Sequence, residues 1–353
     1  MALMRVTDGI HTSRAETARP ARSRRRSAVR TIAGALVFAF ASEASDAQTN
    51  ESSLLDAVRK NLEPPLTMQH LQAAERARAG LDSLPGASAA TRVEAHAMLG
   101  QFFRDIDYDD GIAFHANAVM ELASRLDSTQ RVHLSHQLIY AYRNLAEVVA
   151  GHGNTPTALE LLIHAPAGLP GVPGVVDGLA DEVARYQMVG QPPPRITAPH
   201  WFNEPTGTTT IDPSSGGPVT VVELTAWWCP ACTRSYPALL DLQKKYGSQL
   251  RVVLATSLMG RFRADSGLSP SVELAKLREY FTVEHKLACP IAIADNPGEE
   301  VDPVGKAYHV YAIPETLVID RQGRVTRILL GWDEGNPQRV DEAIKLALGA
   351  PAA

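Results

Sequence analysis

Three cysteines in 353 residues exclude a disulfide-stapled scaffold, which spreads many cysteines over a short chain. Positive charge is also lacking, because the net charge is −5. Residues 1–47 hold eight Arg against four acidic residues, so the remainder stands at −9. A chain this acidic carries no electrostatic footprint for nucleic acid. Aromatic residues are few, at 6%. The apolar run Thr31 to Ala41 has eleven residues, well short of the roughly 20 that span a membrane. What is present, at 45% hydrophobic and 21% charged, is a globular composition with length for two ordinary domains.

The arginine-rich start, the short apolar run and the small-residue exit Ser45-Asp46-Ala47 together read as a secretory signal. Cleavage is expected after Ala47, with Ala44 as the alternative, and the mature protein is expected in the periplasm. An uncleaved anchor is the competing reading.

Residues 48–164 are expected to form a helical domain. Apolar residues recur three and four apart over Ser52 to Asn61, Leu66 to Leu84, Arg92 to Phe103, Gly111 to Leu126 and Arg131 to Ala150, and again over Pro156 to His164. Asp107-Tyr108-Asp109-Asp110-Gly111-Ile112 followed by Ala118-Val119 resembles the second helix of a tetratricopeptide repeat, with Gly111 at the small-residue position. An irregular helical domain is the other reading. Residues 165–195 carry Pro166, Gly168, Pro170, Gly171, Pro173, Gly174 and Pro192-Pro193-Pro194. Proline locks φ and removes a donor, so this stretch is expected to be a linker with a short helix. From 196 onwards β-branched runs alternate with helical patterns, which implies a mixed α/β sheet flanked by helices.

Trp227-Trp228-Cys229-Pro230-Ala231-Cys232 falls between the strand Val219 to Thr225 and the helix Pro230 to Tyr246. The first turn of a helix has unpaired N–H groups and a partial positive charge, which stabilise a thiolate at its entrance. The thiolate is the form that attacks a disulfide. Cys229 is therefore expected to attack. Cys232, one turn deeper, is expected to resolve the intermediate.

These residues, with Ala198-Pro199-His200-Trp201-Phe202, Pro237 and Ala312-Ile313-Pro314, resemble the thioredoxin superfamily and within it the exported TlpA-like redoxins. The resemblance covers residues 198–353. It implies a thioredoxin fold and a thiol–disulfide oxidoreductase acting on cysteine-containing proteins, with a redox partner that resets the pair and no cofactor or metal. It places Pro314 at the family's cis-proline and Glu223 at its buried acid, where burial raises a carboxyl's pKa and suits it to move the proton of the resolving thiol. Trp228, Pro230 and Ile313 are the supporting neighbours. Two departures stand out. The intervening dipeptide is Pro-Ala, and Glu315 separates Pro314 from Thr316, which is expected to alter partner docking.

Cys289 is expected to be a buried, unreactive thiol. A zinc site from Cys229, Cys232, His285 and Cys289 can be written down, but the redoxin motifs already account for the pair. His96, His115, His133, His136 and His309 show no ligand spacing. The competing function is a protein-binding scaffold, in which the helical domain recruits a partner and the redoxin domain is mainly structural.

Overall fold

The computed structural model describes residues 51–63, 67–105, 108–296 and 303–349. The expected signal segment, residues 1–47, and Asp107 of the repeat-like motif lie outside the described residues. Contacts divide the chain into two compact units, residues 1–148 with 164–176, and residues 149–163 with 177–353. The proline- and glycine-rich stretch 165–195 is thus shared between the two. Among the described residues, no helix is long and apolar enough to cross a membrane.

The first unit is built from α1 (Glu51–Asn61), α2 (Met68–Ser83), α3 (Ala89–Asp105), α4 (Asp109–Ala123), α5 (Ser128–His133) and most of α6 (Ser135–Gly151). One helix was expected over Arg131 to Ala150, and two are found. Asp127 and Gln130 form a capping box that starts α5 early, and the chain breaks at buried Leu134 before α6 begins. The next helix, α7 (Thr155–Gly168), runs through Pro166 rather than stopping at His164. Pro166 lies in the last turn, so the one N–H it removes interrupts a helix that ends two residues later.

A polar cluster pins α2, α3 and α4 together. His115 Nε2 lies 3.0 Å from Glu75 Oε1, and His115 Nδ1 lies 2.9 Å from His96 Nδ1. Arg78 bonds both Glu75 and Asp82. Burial pushes the His115 imidazole down to about 4, against the opposing pull of Glu75. Neutral His115 therefore donates from Nε2 to the carboxylate and accepts at Nδ1 from His96. The two histidines, 19 positions apart, had no spacing that would bring them together on paper.

Besides residues 149–163, the second unit holds the last two residues of the short helix α8 (Val175–Gly178) and all of α9 (Ala180–Gln187). A six-stranded sheet follows in the order β10-β9-β4-β5-β8-β2. Its centre is β4 (Val219–Leu224), parallel to β5 (Leu250–Ser257), which is parallel to β8 (Ile291–Ala294). On the other side β9 (Glu315–Ile319) and β10 (Val325–Leu330) run antiparallel. The edge strand β2 (His200–Phe202) pairs antiparallel with β8. Two small antiparallel pairs lie outside this sheet, β1 (Ile196–Thr197) with β3 (Thr210–Ile211) and β6 (Arg261–Phe262) with β7 (Asp265–Ser266). Beyond β10, Gly190 donates to the Val325 carbonyl (2.7 Å) and Val325 donates to that of Gln191 (2.9 Å).

Alternate residues of β4 serve two cores. Val219 and Val221 pack with α10 (Pro230–Tyr246) and α13 (Asn336–Gly349), whereas Val222 and Leu224 pack with Met188, Ile196 and Tyr308. Two lesser helices complete the unit, α11 (Pro270–Arg278), continued by a π-helical segment over Glu279–Glu284, and α12 (Pro303–Ala307). A mixed sheet carrying helices on both faces, with a cysteine pair at the start of α10, is the thioredoxin fold.

One glycine of the first unit is constrained by packing. A Cβ on Gly111 would enter the ring of Phe103, which is buried and stacked on His115 at 5.3 Å. Alanine gains about 1 kcal/mol of helix propensity over glycine, but overpacking a fixed ring costs about 1–3 kcal/mol. Gly111→Ala is expected to lower stability by about 1 kcal/mol, measured as a lower urea midpoint at unchanged slope.

Candidate active site

Strand β4 ends at Leu224, and the loop 225–228 delivers Cys229 to the N-cap of α10 in extended backbone, φ −89° and ψ 110°. Pro230 takes the first helical position, where its missing N–H costs nothing. Cys229 and Cys232 form a disulfide with Cα atoms 5.2 Å apart. The Cys232 N–H points at Cys229 Sγ over 3.1 Å, so the orphan donor of the first turn is aimed at the sulfur that would become a thiolate. Cys232 is fully enclosed, and Cys229 retains 4% exposure.

The surface around Cys229 is formed by Trp228, 46% exposed, and by exposed Pro230. Trp228 Nε1 donates to Met259 Sδ at 2.9 Å. Met259 is itself anchored, because buried Glu273 accepts from the N–H groups of Met259 and Gly260, both at 2.8 Å. On the other side the Ile313–Pro314 peptide bond is cis, and the Ile313 carbonyl oxygen lies 3.6 Å from Cys229 Sγ.

Glu223 projects from β4 towards α10 and has no exposed surface. Its contacts are hydroxyls: Ser235 Oγ at 2.7 Å from Oε1 and Thr316 Oγ1 at 3.4 Å from Oε2. Burial pushes its carboxyl up to about 8, the two hydroxyls opposing. Ser235 Oγ also lies 2.7 Å from the carbonyl oxygen of Cys232. The hydroxyl has one proton and two acceptors in reach. A carbonyl can only accept, so both contacts are satisfied together when Ser235 donates to Cys232 and a protonated Glu223 donates to Ser235. The geometry and the raised pKa agree on a neutral carboxyl.

The structure therefore gathers Cys229, Cys232, Glu223, Pro314, Trp228, Pro230 and Ile313 at one end of the sheet. It leaves out Glu315. That side chain is wholly buried on the face of β9 opposite Glu223. Cys289 is buried in the α10-side core, where desolvation pushes its thiol up to about 12. His285 packs on the rings of Tyr280 (4.5 Å) and Tyr236 (5.1 Å). Among the described residues, no three metal-ligating side chains cluster. Ser235 was overlooked, although its place one turn after Cys232 on the same helix was a usable signal. Thr316 and Glu273 become neighbours only through strand register and loop closure.

No protein-family model matches the sequence, and no curated protein matches it either. Among solved structures the second unit is similar to a thioredoxin-like superfamily protein (21% identity, TM-score 0.37, covering 46% of this chain and 99% of that one). It is similar to a thiol-disulfide isomerase from Corynebacterium glutamicum (21%, TM-score 0.37, 45% and 97%). It is also similar to StoA from Bacillus subtilis (17%, TM-score 0.30, 42% and 98%).

Proposed function

We propose that the protein is a thiol–disulfide oxidoreductase that exchanges disulfides with exported, cysteine-containing proteins. The observation that carries this reading is the Cys229–Cys232 disulfide at the N-terminus of α10, backed by a buried, neutral Glu223. In the reducing direction the Cys229 thiolate attacks a substrate disulfide, forming a mixed disulfide and releasing one substrate thiolate. Cys232 then attacks Cys229 Sγ, closing the internal disulfide and expelling the second substrate thiolate. In the reducing direction the ionised fraction of Glu223 takes the proton of Cys232, and in the oxidising direction protonated Glu223 returns it. A carboxyl poised near 8 serves both directions near neutral pH.

A separate redox partner must reset the pair, and no prosthetic group takes part. The basic and apolar start of the sequence supports export with cleavage near Ala47 into the periplasm. The helical domain, with its repeat-like motif, is read as the part that recruits a protein partner.

Reduction of insulin disulfides by the purified protein tests the activity directly. Cys232→Ser is expected to accumulate mixed disulfides about tenfold or more over Cys229→Ser, because an intermediate without a resolving thiol cannot collapse. Non-reducing electrophoresis of trapped partners reads this out, and equal trapping would reverse the two roles.

Glu223→Gln separates proton transfer from packing. Resolution of the mixed disulfide is expected to slow about a hundredfold, with the first attack by Cys229 little changed, in stopped-flow traces across pH. Stability should move the other way. A carboxyl raised from 4.5 to about 8 in the folded state favours folding fully below about 4.5 and loses that contribution as pH rises through about 8. The wild type should therefore weaken between these values. Glu223→Gln should show a flatter profile and be more stable by about 1–3 kcal/mol at pH 8, measured by urea denaturation at several pH values.

A further inference from the structure

Arg185 has no exposed surface and is among the largest fully buried side chains described. A guanidinium stays charged in proteins, and enclosing it is costly unless the surroundings compensate. Helix α9 delivers it to the face of the sheet opposite α10. There its Nη1 lies 3.9 Å from Glu315 Oε2, and Glu315 is equally enclosed. The guanidinium carbon also stands 4.6 Å from the ring centroid of Tyr311 and 4.9 Å from that of Tyr186. Cation–π contacts of this kind strengthen when desolvated.

Tyr311 and Glu315 are the two ends of the loop that carries Ile313 and Pro314. One guanidinium therefore holds both ends. The segment that bears α9 reaches the same region twice more, through Asp181 Oδ1 to His309 Nδ1 (3.3 Å) and through the Pro194 carbonyl, which accepts from Tyr308 Oη (2.7 Å). Ile313 packs against the cores on both faces of the sheet, and its carbonyl oxygen is the atom 3.6 Å from Cys229 Sγ.

We propose that Arg185 is a positioning residue for the cysteine pair: by clamping Tyr311 and Glu315 from beneath the sheet, it sets the distance from the Ile313 carbonyl to Cys229 Sγ and thereby tunes the nucleophile. The inference rests on the thiol–disulfide reading above. Two backbone groups compete at that sulfur. The Cys232 N–H at 3.1 Å favours the thiolate. The Ile313 carbonyl accepts from the protonated thiol and turns the negative end of its dipole towards the thiolate, so it favours the thiol. Slackening the loop weakens only the second.

The test is the pH–rate profile for alkylation of Cys229 by iodoacetamide in the reduced full-length protein, with thermal denaturation as the folding control. Arg185→Met alone strands the Glu315 carboxylate and is expected to be strongly destabilised. Arg185→Met combined with Glu315→Gln removes both charges and should fold. Its alkylation midpoint should fall by about half a pH unit or more. Arg185→Lys keeps the charge but loses the flat face against Tyr311, and should shift the midpoint in the same direction by less; it decides the matter should the double variant not fold. Folded variants with the wild-type profile would overturn the proposal. Alkylation requires no disulfide substrate. A protein that shows the shift but reduces no test disulfide would thus overturn the functional reading and leave the clamp standing.

Discussion

Burial of β4 on both faces and both edges is the constraint from which the site follows. The strand is hydrogen-bonded to β5 and β9 and presents no residue to solvent. From Thr220 to Leu224 it is paired on both sides, so the chain regains free donors where the strand stops and α10 starts. That is where Cys229 sits. The same burial makes Glu223 costly as an anion, since it is the penultimate residue of a buried strand with hydroxyls and no cation beside it. A nucleophile with a free donor and an acid held neutral are both consequences of how one strand is enclosed.

Two carboxyls close in register meet that enclosure differently. Glu223 lies opposite Thr316 across β4 and β9, and Leu224 lies opposite Glu315. Glu223 faces the α10 core and is kept protonated by desolvation, while Glu315 faces the other core and stands against a guanidinium. The pleat alone separates them, because successive residues of a strand point to opposite faces. In the readings proposed above, one moves a proton and the other holds a loop.

Much of this was legible in the residues. The unbroken run Val219 to Thr225, the cysteine spacing and the proline after Cys229 placed the strand end, the helix start and the pair itself. Glu223 was legible through a resemblance, and its burial goes with the apolar run around it, whose strand is enclosed on both faces. Other features were not. Ser235 and Thr316 reach Glu223 from a helix and from a strand 93 positions away, and such contacts depend on register that short-range patterns do not encode. Pro166 looked like a helix stop because its position relative to the helix end cannot be read from composition. Arg185 carried no signal in the sequence. Its enclosure depends on Tyr311 and Glu315, which are more than a hundred residues downstream.

The bridge beyond β10 has a bearing on how the molecule meets other chains. Because Gly190 and Gln191 satisfy both backbone groups of Val325, the margin of the sheet is already closed there by its own polypeptide. At the opposite margin β2 offers only three residues, too short a template for an incoming strand. A polypeptide adding itself sideways finds the Val325 position taken at one margin and a three-residue strand at the other. The strand tips, by contrast, carry the slightly exposed sulfur of Cys229 and the open indole of Trp228.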